Sequence, residues 1–129
     1  MEQAKEQLKA HVVLLEKALG TLSDALSQPL TDYMRDSIIK RFEYTFELSW
    51  KAIRIAADFM GATCNSPREA IRAAFKLNWI EDPDAWFAAL EGRNNSSHTY
   101  NTDLAEEVYE IAKSFPPKVQ ELLAAFKKI

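Results

Sequence analysis

Leu8, Val12, Leu15, Leu19, Leu22 and Leu26 follow one another in alternating steps of four and three residues. With 3.6 residues per helical turn, that spacing brings each side chain back to one side of a helix about six turns long. A strand would scatter them over both faces. A long helix with a single apolar stripe must bury it against other helices, so the stripe predicts a bundle. The turn formers agree. Three glycines and five prolines in 129 residues fall well below the roughly 12% of average usage, too few for a fold of many strands and tight turns.

The rest of the chain repeats the helical pattern. Gln28 and Pro29 stop the first helix, and Thr31 with Asp32 supplies an N-cap and an acidic first turn for a second. Ile38, Phe42, Phe46, Ser49, Trp50, Ile53, Ala57 and Met60 carry that helix to Gly61, which suits a left-handed cap. Ser66-Pro67-Arg68-Glu69 reads as a capping box with proline at the first helical position. The apolar face of this shorter helix is Ala70, Ile71, Ala74, Phe75 and Leu77, ending near Asn78. Asp82-Pro83 starts another helix through Trp86, Leu90 and Arg93, and Asn94-Asn95-Ser96-Ser97, all poor helix formers, predicts its end. Asn101 or Thr102 caps a last helix with Leu104, Val108, Ile111, Ala112 and Phe115. Pro116-Pro117 must kink or restart it before Val119, Leu122, Leu123 and Phe126. The expectation is an all-α, antiparallel up-down four-helix bundle with an interrupted third arm and a kinked C-terminal helix, forming one domain over residues 1–129.

Several function classes drop out. The longest apolar run, Ala85 to Leu90, is six residues against about 18 for a membrane span. With one cysteine, Cys64, no internal disulfide is available, and a cytoplasmic setting is expected. A net charge of −3 does not describe a broad nucleic-acid surface. Gly20, Gly61 and Gly92 lie too far apart for a phosphate loop, and two histidines with one cysteine do not make an ordinary zinc site. His11, beside the first stripe, is expected to pack or to fringe an interface, and Trp50, Trp79 and Trp86 to anchor the core or a dimer contact.

Functional groups concentrate in Arg93-Asn94-Asn95-Ser96-Ser97-His98-Thr99-Tyr100. Arg93 continues the Trp86 and Leu90 face, so its guanidinium should point toward the bundle or an interface and needs a partner. On an unbroken helix Arg93 and His98 would stand about 140° apart. A break at Asn94 to Ser97 would let them converge, and an extended His98-Thr99-Tyr100 would put His98 and Tyr100 on one side. Arginine and histidine suit RNA phosphodiester chemistry. The 2′-hydroxyl is a built-in nucleophile, imidazole moves protons near pH 7, and a guanidinium binds phosphate and steadies its growing charge. Such a reaction wants an acid and a base, which a two-fold dimer would supply from two copies of His98. The plainer alternative is that Arg93 caps a helix C-terminus and His98 satisfies loop carbonyls. Arg68, Arg72 and Lys76 form a basic stripe that fits an RNA backbone, an acidic partner or simply solvent.

Arg41 to Lys51 (RFEYTFELSWK), Ser66 to Ile71 (SPREAI), Asp82 to Trp86, and Arg93-Asn94 through His98-Thr99-Tyr100 resemble the HepT family of the HEPN superfamily, whose members are also called nucleotidyltransferase substrate-binding proteins. The likeness runs over roughly residues 5 to 126. It implies a helical HEPN-like domain that forms a homodimer, with a ribonuclease site needing no metal and no cofactor. Arg93 and His98 would be catalytic, Asn94 the supporting polar residue, and RNA the substrate. It also implies a toxin role, opposed by a minimal nucleotidyltransferase antitoxin that uses ATP to attach AMP to Tyr100. A bulky anion there would block the cleft and engage Arg93. Two other readings stand beside this one: a non-catalytic subunit that presents nucleotide or another small substrate to a nucleotidyltransferase, and a structural dimerisation bundle.

Overall fold

A computed structural model describes residues 2–129, and every regular element among them is helical. The order is α1 (Glu2–Leu26), α2 (Asp32–Phe59), α3 (Pro67–Lys76), α4 (Pro83–Asn95), a 3₁₀ turn (Ser96–His98), α5 (Thr102–Ser114) and α6 (Pro116–Phe126). The interrupted third arm is α3 with α4. At the C-terminus the two prolines restart the helix, so α5 and α6 are separate helices.

The α1 stripe buries Leu8, Leu15, Leu19 and Leu22, with Val12 and, at its C-terminal end, Leu26 half-buried. Ala18 and Ala25 widen the stripe on one edge. A short link returns the chain as α2, which packs along α1 and also meets α3, α4 and α5. Thr31 caps α2 by accepting from the Met34 amide at 3.0 Å. Its buried face includes Ile38, Phe42, Phe46, Ile53 and Ala57. The buried hydroxyls of Thr45 and Ser49 donate back to the carbonyls of Arg41 and Thr45, at 2.6 and 2.8 Å, so neither costs an unpaired polar group. Met60 departs from the expected stripe and is 51% exposed. It sits at the cap, where Gly61 turns left-handed (φ 86°) and the Ala62 amide reaches the Ala57 carbonyl at 2.8 Å, so the chain is already leaving the core.

The capping box of α3 forms in part, with the Glu69 carboxylate meeting the Ser66 hydroxyl and not its amide. The Glu69 amide donates to Ser66 Oγ at 3.1 Å, and that hydroxyl donates to Glu69 Oε2 at 3.3 Å. Ala70, Ile71 and Ala74 are buried, whereas Phe75, expected with them, is 49% exposed because it falls on the edge of that narrow face. The helix closes on Asn78, a left-handed residue (φ 62°), with the Trp79 amide bonded to the Ala74 carbonyl at 2.8 Å. Trp79 then seats edge-on against Phe126 of α6, with centroids 5.5 Å apart.

Phe42, Phe46, Trp86 and Phe115 meet at the centre. Phe115 stands edge-on to both Phe42 and Trp86, each at 5.2 Å. None of the four is more than 1% exposed, and truncating a ring so placed typically costs about 3–5 kcal/mol. This cluster ties α2 to α4 and to the α5–α6 junction, fixing the surface from which α4 projects its last turn. Gly92 lets α5 come close, since a Cβ there would lie 3.1 Å from Ile111 Cδ1.

Candidate active site

Asp82 starts α4 by accepting the Ala85 amide at 3.1 Å, with Pro83 at the first helical position. From that fixed start Trp86 and Leu90 are buried, and Arg93, on the same face, lies half-buried against α2. Its guanidinium carbon stands 5.7 Å from the centre of the Phe46 ring, an attractive cation–π placement. Nη1 donates to Glu47 Oε1 and Nε to Asn94 Oδ1, the latter at 3.1 Å. Glu47 also accepts from Trp50 Nε1 at 3.2 Å. Lys51, its neighbour one turn on, is 3.9 Å away, the kind of exposed pair worth about 0–1 kcal/mol.

The α-helix ends within the expected Asn94 to Ser97 stretch, at Asn95, but the chain does not become extended there. α4 runs through Asn95 and winds tighter through Ser96–His98, and Thr99 is helical too (φ −75°, ψ −1°), so no extended His98 to Tyr100 segment exists. The reason is tertiary. Buried Ser96 Oγ lies 2.7 Å from Glu43 Oε2 and 2.7 Å from the Arg93 carbonyl, and its single proton serves both. A hydrogen bond to a charged group contributes about 1.5–3 kcal/mol, more than the few tenths that serine or asparagine lose to better helix formers. Burial raises the pKa of Glu43, but hydrogen bonds from Ser96 and Lys40, with the charges of Lys40 and Arg93, outweigh it and hold the carboxyl below its ordinary value. It is ionised near neutrality.

His98 is exposed at the end of the turn. Its Nδ1 is 3.4 Å from the Tyr100 hydroxyl, a long contact, with the rings edge-on at 6.0 Å. Thus His98 and Tyr100 meet across a helical turn, although the expected route was a strand. Arg93 and His98 share no hydrogen bond within the chain; one turns inward to α2 and the other faces solvent. Tyr100 is 85% exposed.

Arg68, Arg72 and Lys76 lie on the outer side of α3, and all three are exposed. Arg68 stacks over Phe87 of α4 at 5.1 Å, so it helps dock α3 on α4 as well as charging that surface. His11 stays near its own helix, with Nδ1 3.1 Å from the Gln7 carbonyl. Burial raises the Cys64 pKa, with Glu69 adding to the effect, so its thiol stays protonated and poorly nucleophilic.

An open groove of about 1120 Å³ lies between α4, α5 and the start of α2. Asp32, Glu91, Asp103, Glu106, Glu107 and Glu110 line it against one cation, Arg35. This face repels a polyanion, and neither Arg93 nor His98 lines it. Sequence spacing missed Glu43 and Glu47 as site residues. The signals they gave were their separation of four, which puts both carboxylates on one face of α2, and their place within the Arg41 to Lys51 segment.

The model of the family described as nucleotidyltransferase substrate binding protein like matches residues 5–128. A Haemophilus influenzae protein named probable ribonuclease HepT is 33% identical over 114 residues, covering 79% of this chain and 77% of that protein. A crystal structure of a Thermus thermophilus protein is 31% identical, with a TM-score of 0.79 over 85% of this chain and 96% of its own. A second solved structure, from Haemophilus influenzae, is described as revealing the fold of a substrate binding domain of a nucleotidyltransferase. It is 26% identical, with a TM-score of 0.69 over 95% of this chain and 98% of its own.

Proposed function

The chain belongs to the family of HepT-like, nucleotidyltransferase substrate-binding-like proteins, and from that premise we propose that it is a metal-independent endoribonuclease, the toxin of a toxin–antitoxin pair. The observation that carries the reading is the single helical segment holding Arg93, Asn94 and His98, with the Tyr100 hydroxyl at 3.4 Å from His98 Nδ1.

In this reading two chains associate, and each contributes Arg93 and His98. The neutral imidazole of one His98 takes the proton of an RNA 2′-hydroxyl as that oxygen attacks the adjacent phosphorus. The bond from phosphorus to the 5′-oxygen breaks, and that oxygen takes a proton from the imidazolium of the second copy. Arg93 steadies the negative charge on the phosphoryl oxygens. The products are a 2′,3′-cyclic phosphate and a 5′-hydroxyl, with no metal in the balance. Tyr100 is the brake. A partner nucleotidyltransferase transfers AMP from ATP to its exposed hydroxyl, releasing pyrophosphate and leaving a bulky anion beside His98.

Purified chain incubated with RNA in chelator should release cyclic-phosphate ends, and His98→Ala should lower the rate about 10²- to 10⁴-fold. Absence of cleavage, or full activity in His98→Ala, overturns the assignment. Co-expression with the nucleotidyltransferase should add the mass of one AMP per chain, lost in Tyr100→Phe.

A second reading has its own support in Glu47, which neutralises Arg93 within the chain, and in the description attached to the Haemophilus structure. It makes the protein a non-catalytic subunit that binds nucleotide or another small substrate for a nucleotidyltransferase. Calorimetric nucleotide binding, with nucleotidyl transfer that requires both proteins and no RNA cleavage, would select it.

A further inference from the structure

Glu43 and Glu47 stand one helical turn apart on α2, and each grips a different end of the Arg93 to His98 segment. Glu47 takes Nη1 of Arg93, and Glu43 takes the hydroxyl of Ser96, the first residue of the turn that ends in His98. We infer that both are positioning residues of the RNA-cleaving site proposed above. Glu47 fixes the guanidinium, and Glu43 fixes the turn. The inference rests on the ribonuclease reading and names parts of the site that the Arg93 to Tyr100 motif does not contain.

The geometry distinguishes positioning from mere neutralisation. A guanidinium carries five N–H donors in a rigid plane. Asn94 takes Nε and Glu47 takes one hydrogen of Nη1, so Nη2 is left without a hydrogen-bond partner among the described residues. A phosphate can therefore bind Arg93 without displacing Glu47. The Phe46 ring at 5.7 Å sets the plane from beneath, and Trp50 Nε1, bonded to Oε2 of Glu47, holds the carboxylate in turn. A long, flexible side chain is thus fixed before any substrate arrives, the condition under which an electrostatic donor contributes most to a transition state.

Glu43 acts at the other end. Its ionised carboxyl and the Arg93 carbonyl share the Ser96 proton, which ties the end of α4 to α2 and continues the helix as a 3₁₀ turn. Without that tie, Asn94 to Ser97 would be free to take the local side-chain turns they prefer, and His98 would lose its place relative to Arg93.

The test uses the full chain and two readouts. In RNA cleavage assayed in chelator, Glu47→Ala and Glu43→Ala should each lower kcat about 10- to 100-fold, the scale of a small misplacement of a catalytic group, with KM changing much less. Glu47→Gln, which keeps an acceptor oxygen but not the charge, should fall between. In ¹⁵N NMR spectra without RNA, the Arg93 Nε–H signal, identified by its loss in Arg93→Lys, should be sharp. It should broaden in Glu47→Ala while backbone signals of α1 and α6 stay in place. A purely structural role would lower stability and leave that signal and kcat unmoved in the folded protein. An unchanged Arg93 signal or unchanged kcat in Glu47→Ala, in a protein that does cut RNA, overturns the positioning role alone. Wild-type protein that cuts nothing in chelator overturns the ribonuclease reading, and with it the catalytic meaning of both carboxylates.

Discussion

The helix ends of α3 and α4 are built on opposite principles. α3 stops by a backbone turn with an apolar anchor: Asn78 turns left-handed, the Trp79 amide closes on the Ala74 carbonyl, and the Trp79 side chain drops into an apolar slot against Phe126. α4 has no left-handed residue at its end. It continues into a 3₁₀ turn because carboxylates from α2 reach across to Ser96 and Arg93. The first end is a local backbone turn anchored by an apolar contact; the second is made by distant, charged partners. A closed terminus of the first kind leaves no polar group to spare. The second kind leaves donors of Arg93 and the imidazole of His98 available, which is what a site needs.

Substitutions at the two ends should therefore fail differently. The largest loss is expected at Trp79→Ala, about 3–5 kcal/mol for a buried aromatic, read as a lower urea midpoint. An effect below about 1 kcal/mol would mean that the backbone turn alone closes α3, since so small a change is far less than burial of a ring normally contributes. Ser96→Ala should cost about 1.5–3 kcal/mol for a bond to a charged acceptor, and here the loss should also appear in RNA cleavage, as it would not at Trp79 in protein that remains folded. This second cost depends on pH. The Glu43 carboxyl is held below its ordinary value near 4.5, so its stabilising contribution is complete above that pH and disappears as pH falls through the folded-state value. Chemical denaturation of wild type and Ser96→Ala at neutral and acidic pH should show the gap narrowing with acid; a constant gap would mean that Ser96 works through the Arg93 carbonyl alone. The smallest change, about 1 kcal/mol, is expected at Ser66→Ala, the cap at the opposite end of α3, and a loss of 3 kcal/mol or so there would erase the distinction between local and distant partners, since caps seldom exceed about 2.

The same contrast explains what the sequence made legible. Caps at Thr31, Ser66, Asp82 and Asn101 rest on residues within three positions of one another, and all four form. The leucine stripe of α1 rests on a period, and its central leucines are buried. Periodicity alone could not place Phe75 and Met60, which share the phase of a buried face but lie at its margin or past its end. The site was harder to read. Glu47 already had a satisfactory neighbour in Lys51 four residues on, so nothing local pointed to Arg93, 46 residues away. Asn94 to Ser97 do end the α-helix, as their intrinsic preference indicates, but preference alone could not show that the chain goes on as a 3₁₀ turn. The term that decides it, the Glu43 carboxylate, lies 53 residues from Ser96.

Phe115 has a mechanical consequence. Pro116 and Pro117 lack amide hydrogens, which makes this the weakest stretch of backbone in the C-terminal third. Yet the Phe115 ring is wedged between Phe42 and Trp86, so α6 cannot swing on the junction without drawing that ring out of the core. The joint is soft in its hydrogen bonding and locked by its side chain. α5 and α6 should accordingly open to solvent as one cooperative unit in hydrogen exchange. Trp86, one of the two rings that hold Phe115, lies about two helical turns before Arg93 on the same face of α4, so the lock on the C-terminal joint and the guanidinium are carried by one helix.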